Sequence, residues 1–523
     1  MQIKSSRRGF IKSMAGLAAI GAGGCFSSNA AKPFGGDRVR LAAVGVMGKG
    51  LTDWVPMLKS GKAELVALCD CDRSAVAKAA KSKQFRDIPD SLRPDLSKIP
   101  FYSDYRRLLG DAGILKIDAM TVSTTDHTHA PIAIGVMKQG IHVYVQKPLV
   151  RTLWELDYFK KTARRYGVIT QMGNQGSSLP GFRRGVEILR SGILGDVEEV
   201  HVWTNRPVWP QGAAAGRITL GKADKIPASL DWNAWLGPAK DRPFKRDIPR
   251  DADVYNPWKI ANSVYHPFNW RGFYDFGCGA FGDMACHTMN LPFRGLELGA
   301  VTKAELAMVD DRDDIAFPMK SIVKLTYAER KSMNGITLPA VTLYWYDGNE
   351  KPKAEIMPQV TAAFKGKVPK TGCVVIGSNG VLCSTNDYGG ESFIALEGEK
   401  KVLNVKDHGA AKMVAQSIPL RTDSVNKVEK GSGAAAVSAD GHYIEFLDAI
   451  MGEGPKFADV GGSRCFSDIE YSIPQMEGIL VGVVAQRVCE VGGALAWNSA
   501  KQTFDNTAAN NLMRPYIRKG FEF

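Results

Sequence analysis

The chain has 523 residues, of which 45% are apolar and 23% charged, with a formal net charge of +13. That length allows two to four domains with ample core and excludes a chain that needs disulfides or a metal to fold. The charge invites a nucleic-acid partner, but the basic residues are spread along the chain with no arginine-rich arm or nucleic-acid motif. A solvated basic surface or an acidic small-molecule site accounts for them better.

The first element is an export signal. Ser6-Arg7-Arg8-Gly9-Phe10-Ile11-Lys12, followed by the weakly apolar run from Met14 to Gly24, is too short and too poor in large side chains to span a bilayer. It resembles the consensus of bacterial twin-arginine signals, whose export machinery carries proteins already folded. Residues 1–30 are therefore read as a signal peptide and the mature protein as periplasmic. Ser28-Asn29-Ala30 has the small-x-small form cut by a signal peptidase. Ala22-Gly23-Gly24-Cys25 is a poor lipobox, which leaves lipid anchoring through Cys25 open. Eight further cysteines, none in a CxxC pair, do not suggest zinc, and any disulfide pairing is not readable from their positions.

A predicted strand at Val39 to Val46, a short apolar run ending in glycines, starts a regular alternation. A helix follows at Lys49 to Ser60, a strand at Ala63 to Asp70, a helix near Ser74 to Lys83, and a strand at Ile117 to Val122. Then come a helix at His129 to Gln139, a strand at His142 to Gln146, and a helix from about Thr152 to Arg165, where Thr152 and Glu155 have capping-box spacing. A last strand covers Val168 to Met172. The pattern predicts a Rossmann-like doubly wound parallel sheet over residues 38–173. In that setting Gly45-Val46-Met47-Gly48-Lys49-Gly50 reads as a pyrophosphate cradle at a helix N-terminus. Asp70, at the carboxyl end of the second strand, is suited to a ribose diol and favours NAD over NADP.

Three stretches resemble the Gfo/Idh/MocA family: the glycine loop, Val122-Ser123-Thr124-Thr125-Asp126-His127-Thr128-His129-Ala130-Pro131, and His142-Val143-Tyr144-Val145-Gln146-Lys147-Pro148-Leu149. The last is similar to an E-K-P signature in which Gln146 replaces the glutamate, so a carboxylate beside Lys147 is expected to be missing. Tyr265 to Arg271 and Gly277 to His287 resemble the D-x-x-x-H segment of the family's second domain. Asp283 and His287, four apart on a helix, would face one pocket. Val202 to Gln211 and Arg514 to Phe521 look like the exported bacterial branch of the family.

The resemblance implies a second α+β domain with a mostly antiparallel sheet over residues 174–523, whose C-terminal segment can pack back on the first, and a cleft between the two. It implies NAD held by Gly45, Met47, Gly48, Lys49, Gly50, Asp70, Thr124, His129, Gln146 and Lys147. Catalysis falls to Lys147, Asp283 and His287, with His287 as base, and sugar binding to Asn174, Trp270 and Arg271. Among other aromatic residues, Trp203, Trp209, Tyr265 and Tyr274 are weaker sugar-stacking candidates. Asp126, His127 and His129 form a D-H-x-H cluster, but without a further ligand set no metal is assigned. Residues 300–440 carry strand-like runs and no recognisable motif. The implied activity is NAD-dependent oxidation of a sugar or glycoside hydroxyl with the cofactor retained after export. A redox-neutral NAD-dependent glycosidase and a non-catalytic carbohydrate-binding protein are the alternatives. Association into homo-oligomers through the open sheet face is common in such relatives.

Overall fold

A computed structural model describes residues 30–31, 33–248, 263–427 and 436–523. Arg7-Arg8, the apolar run after them, Cys25 and most of the proposed cleavage motif lie outside the described residues.

Six parallel strands build the first sheet: β1 (Val39–Val44), β2 (Ala63–Cys69), β3 (Phe101–Tyr102), β4 (Ala119–Val122), β5 (His142–Val145) and β6 (Thr170–Met172). Their spatial order is β3-β2-β1-β4-β5-β6, the doubly wound arrangement in which β1 and β4 flank the point where the winding reverses. The central strands are buried on both faces, which is why they read as unbroken apolar runs. Helices α1 (Lys49–Lys59), α2 (Asp126–Met137) and α3 (Leu153–Tyr166) provide crossovers. The capping box at Thr152 and Glu155 is formed, and a left-handed Gly167 ends α3. Helix α2 begins at Asp126, three residues before the expected start, because Thr125 is still extended and the turn follows directly on it.

A ten-stranded mixed sheet forms the second layer system. It comprises β7 (Val197–Trp203), β8 (Val301–Asp310), β9 (Lys320–Tyr327), β10 (Val341–Tyr346), β11 (Gly372–Gly377), β12 (Gly380–Ser384), β13 (Ser392–Leu396), β14 (Leu403–Asn404), β15 (Ala494–Asn498) and β16 (Thr503–Phe504), in the order β14-β13-β12-β11-β7-β10-β9-β8-β15-β16. Only β7 and β10 pair in parallel. Strand β9 alternates buried and half-buried residues throughout, as expected where one face of an antiparallel sheet is covered. The cover is α4 (Gly279–Thr288) and the long α6 (Ile469–Val488), with Phe281 stacked on Trp345 at 4.6 Å.

The chain then returns to the first sheet. Helix α5 (Asp440–Met451) contributes Tyr443, Phe446, Leu447 and Ile450 to the same buried cluster as Val39, Leu41, Trp54 and Tyr144. Lys62 pairs with Asp448 at 2.6 Å. The extreme C-terminus follows the same course: Phe523 lies against Trp154 and Tyr158, and Phe521 under Arg106. No described helix is long and apolar enough to cross a membrane, and the eight described cysteines are free thiols.

Candidate active site

The loop after β1 is shaped by glycine. A Cβ on Gly45 would stand 2.4 Å from the Ser123 carbonyl oxygen, and one on Gly50 would stand 1.9 Å from that of Gly45, so neither position admits a side chain. Gly48, at φ +61, precedes α1 and has open space where a Cβ would project. No side chain caps the helix, so its first amides point out of the loop without a protein acceptor from that position. The Asp70 carboxylate braces this cradle, accepting from the Val46 amide at 2.8 Å and the Asp72 amide at 2.9 Å. Burial raises its pKa, against the pull of those two amides. A cradle with uncapped amides, room in front of Gly48 and a carboxylate at the end of β2 fits a dinucleotide.

Behind the cradle lies a polar knot that the sequence did not disclose. Asp53, fully buried one turn into α1, accepts from Lys49 Nζ at 2.6 Å, Ser123 Oγ at 2.7 Å, and Gln146 Nε2 at 3.0 and 2.9 Å. Lys49 also donates to the Tyr443 hydroxyl at 2.8 Å, which ties α5 to the glycine loop. The amide nitrogen of Gln146 therefore faces Asp53, while its Oε1 accepts from the backbone amide of Lys147 at 3.3 Å. An amide suits the position because it has two donor hydrogens, whereas a glutamate would set one carboxylate against another.

The carboxylate beside Lys147, expected to be missing, comes from the other side of the cleft. Lys147 Nζ donates to Asp283 Oδ1 at 3.0 Å and to the Asp283 carbonyl at 2.8 Å. Arg271 Nε donates to the same Oδ1 at 3.1 Å, its guanidinium lying between Phe268 and Trp270. Burial alone would raise the Asp283 pKa, but the two cations outweigh it and hold the group well below the usual carboxylate range. Asp283 makes no hydrogen bond to His287. Four residues on along α4, that imidazole meets the ring edge of Tyr388 at 4.9 Å, and its buried Nδ1 has no partner. Burial, helped by Lys147, keeps it neutral by lowering its pKa far below the ordinary value.

These groups share one cleft of about 290 Å³ between the two sheets. Of the residues expected from sequence, Lys49, Thr124, Gln146, Lys147, Trp270, Arg271, Asp283 and His287 line it, as does Trp209. Met47, Gly45, Gly48, Gly50 and Asp70 form the adjoining cradle. Two expectations are corrected. His129 is buried with Nδ1 2.8 Å from the Pro148 carbonyl oxygen and Nε2 3.3 Å from that of Thr124, so it braces the walls and does not face the cofactor space. Asn174 begins the short turn Gln175–Ser178 fully buried, and Gln175 takes its place in the lining. Trp203, Tyr265 and Tyr274 belong to the core. His127 Nε2 lies within 3.2 Å of the Trp235 and Leu236 carbonyl oxygens.

Asp126, Arg206, Asp387 and Tyr388 complete the wall without having been singled out for it. Arg206 and Asp387 pair across it at 3.2 Å. Their loops lie far apart in sequence; the Asp126 and Arg206 segments carry stretches of the resemblance, whereas the segment of Asp387 and Tyr388 carries none.

The geometry brings a dinucleotide cradle and a lysine, aspartate and histidine to one cleft, and comparison with known proteins agrees. Residues 39–174 match the model of an oxidoreductase family with an NAD-binding Rossmann fold. That model is the Gfo/Idh/MocA one. The match makes NAD the cofactor of this domain, and the cradle has the shape that such a dinucleotide needs.

Among curated relatives, the glycosyl hydrolase family 109 protein 2 of Akkermansia muciniphila is 28% identical over 235 residues, which are 38% of this chain and 46% of that protein. An alpha-N-acetylgalactosaminidase of Shewanella oneidensis is 33% identical over 130 residues, 24% of this chain and 26% of that protein. The chain thus spans less than half the length of either. An inositol dehydrogenase homologue from Azotobacter vinelandii, solved with NADH and myo-inositol, superposes with a TM-score of 0.52 at 16% identity, over 88% of this chain and 98% of that one. That likeness is one of fold and takes in both sheets.

Proposed function

We propose that this protein is an NAD-dependent enzyme acting on a hydroxyl of a glycoside, and that its net reaction is redox-neutral hydrolysis. The observation that carries the reading is the convergence of Lys147, Asp283 and His287 on one cleft beside the cradle. Glycosyl hydrolases among the curated relatives favour hydrolysis over net oxidation.

Bound NAD would supply an acceptor for the hydride of the sugar carbinol and return it at the end of the cycle. The residues of the chain then have distinct tasks. His287, neutral in the cleft, takes the hydroxyl proton and, because burial disfavours its charged form, gives it up readily to water. Lys147, fixed by Asp283, donates to the oxygen on which negative charge develops. The resulting ketone acidifies the neighbouring C–H, whose proton passes to the imidazole. The aglycone leaves, water adds across the double bond, and the alcohol is restored. Arg271, Trp270 and Trp209 offer one face of the sugar a charged edge and two aromatic surfaces.

A cycle that returns its hydride suits a protein exported to the periplasm already folded, where reduced cofactor has no route of renewal. The twin-arginine motif at Arg7-Arg8 supports that localisation. The test is to purify the protein from the cell envelope, identify the nucleotide released on denaturation by mass spectrometry, and supply p-nitrophenyl glycosides while following bound-cofactor absorbance. Release of p-nitrophenol without net reduction is expected. Lasting reduction would instead select a sugar dehydrogenase, and absence of any nucleotide would refute the proposal.

A further inference from the structure

Asp126 is a polar group of the cleft wall to which the reaction above gives no task. It stands in the first turn of α2, at the carboxyl end of β4, and lines the cleft together with Lys147, Asp283 and His287. It is only 2% exposed, and its Oδ2 has no hydrogen-bond partner. A buried carboxyl oxygen without a partner is costly unless a ligand meets it or the group carries a proton. Burial, reinforced by the Asp283 carboxylate, pushes its pKa up to about 8 against the pull of Arg271, Lys147 and Arg151. At neutral pH the group therefore enters the cleft mainly as a carboxylic acid, next to an aspartate held ionised. Two carboxyls with opposed protonation in one site are the arrangement from which acid and base roles arise.

We propose that Asp126 is the general acid of this cleft, protonating the glycosidic oxygen as the aglycone departs. The inference rests on the hydrolytic reading. In the step, the C2–H electron pair forms the C1–C2 double bond as its proton passes to His287. The C1–O bond breaks with its pair going to the aglycone oxygen, and that oxygen takes the proton of Asp126. The resulting Asp126 carboxylate recovers a proton from the water that adds at C1, while C2 regains one from the His287 imidazolium. Nothing is oxidised or reduced in this step, and no further reactant is needed.

The experiment compares leaving groups. A panel of p-nitrophenyl glycosides identifies a sugar that the wild type hydrolyses, and the methyl glycoside of that sugar is then assayed beside it. Asp126→Asn keeps the shape and a hydrogen-bond donor but cannot transfer a proton. A p-nitrophenolate leaves largely unaided, whereas methoxide needs protonation. Rates should fall about tenfold on the p-nitrophenyl glycoside and about a thousandfold on the methyl glycoside. Bound NAD, measured by mass spectrometry, should be retained, as should the transient absorbance of the reduced cofactor on mixing with sugar. Equal losses on the two glycosides, or no loss, would overturn the assignment of Asp126 while leaving hydrolysis intact. A wild type that hydrolyses no glycoside of the panel would remove the hydrolytic reading and this proposal with it.

Discussion

Gln146→Glu tests the polar knot behind the cradle. The amide nitrogen of Gln146 lies 3.0 and 2.9 Å from the two oxygens of Asp53, and both residues are buried. Two carboxylates about 3 Å apart at an effective dielectric of about 20 repel by about 5 kcal/mol. Protonating one is cheaper. Holding a glutamate of ordinary pKa about 4.3 neutral at pH 7 costs about 3.5 kcal/mol, and at pH 5 about 1 kcal/mol. The cheaper route sets the loss, so the variant should unfold about 3.5 kcal/mol more easily at pH 7 and about 1 kcal/mol more easily at pH 5. The sign follows from proton counting. The folded variant binds a proton that its unfolded chain releases above pH of about 4.3, so its stability falls as pH rises toward the raised folded value. Urea denaturation followed by circular dichroism at the two pH values gives both numbers. Adding Asp53→Asn restores one carboxylate facing one amide and should recover at least about 2 kcal/mol at pH 7. A single variant as stable as the wild type at pH 7, or a double variant no better than the single, would refute the network.

His287→Ala should lower turnover at least a hundredfold, as about 10² to 10⁴ is expected for a proton-transfer residue, with bound nucleotide unchanged by mass spectrometry; an unimpaired variant removes His287 from the mechanism. Gly50→Ala would drive a Cβ against the Gly45 carbonyl, so nucleotide retained on purification should drop sharply, and full occupancy would contradict the close approach. Asp283, whose folded pKa is depressed, gives stability that is present above its unfolded pKa and lost as pH falls below it. The fall in unfolding free energy from pH 5 to pH 3 should therefore be smaller in Asp283→Asn, and identical slopes would count against the ion pair. With Asp126 raised to about 8 among Asp283, Arg271, Lys147 and Arg151, hydrolysis of the methyl glycoside should decline as pH rises past that value; a profile flat to pH 9.5 would contradict it.

The first half of the chain was legible because parallel strands buried on both faces write themselves as apolar runs, and the glycines of the cradle mark places where backbone meets backbone. Strand β3 escaped notice because two residues, Phe101 and Tyr102, make no pattern. In the second half, strand-like runs were visible over residues 300–440, but nothing local says which strands pair across the insertions between them. Helix α4 is buried on all sides, so it lacks an amphipathic stripe, and Asp283 and His287 were found by their spacing within a resemblance. Asp53 and Gln146 lie 93 residues apart; Gln146 stood out as a departure from the signature, but nothing in the sequence pointed to Asp53 as its partner. Lys147 was legible as a residue, whereas its partner was not, because the ion pair exists only once the two halves close.

Helix α5 carries a further consequence. The nucleotide-binding half draws Tyr443, Phe446, Leu447 and Ile450 into its core, and the tail ends with Phe521 and Phe523 on its surface. A ribosome that has made only the first third of this polypeptide has not yet made the residues that finish that half. Lys49 finds its Tyr443 partner 394 positions further along the chain, so the nucleotide-binding half is completed only after most of the second sheet has been made.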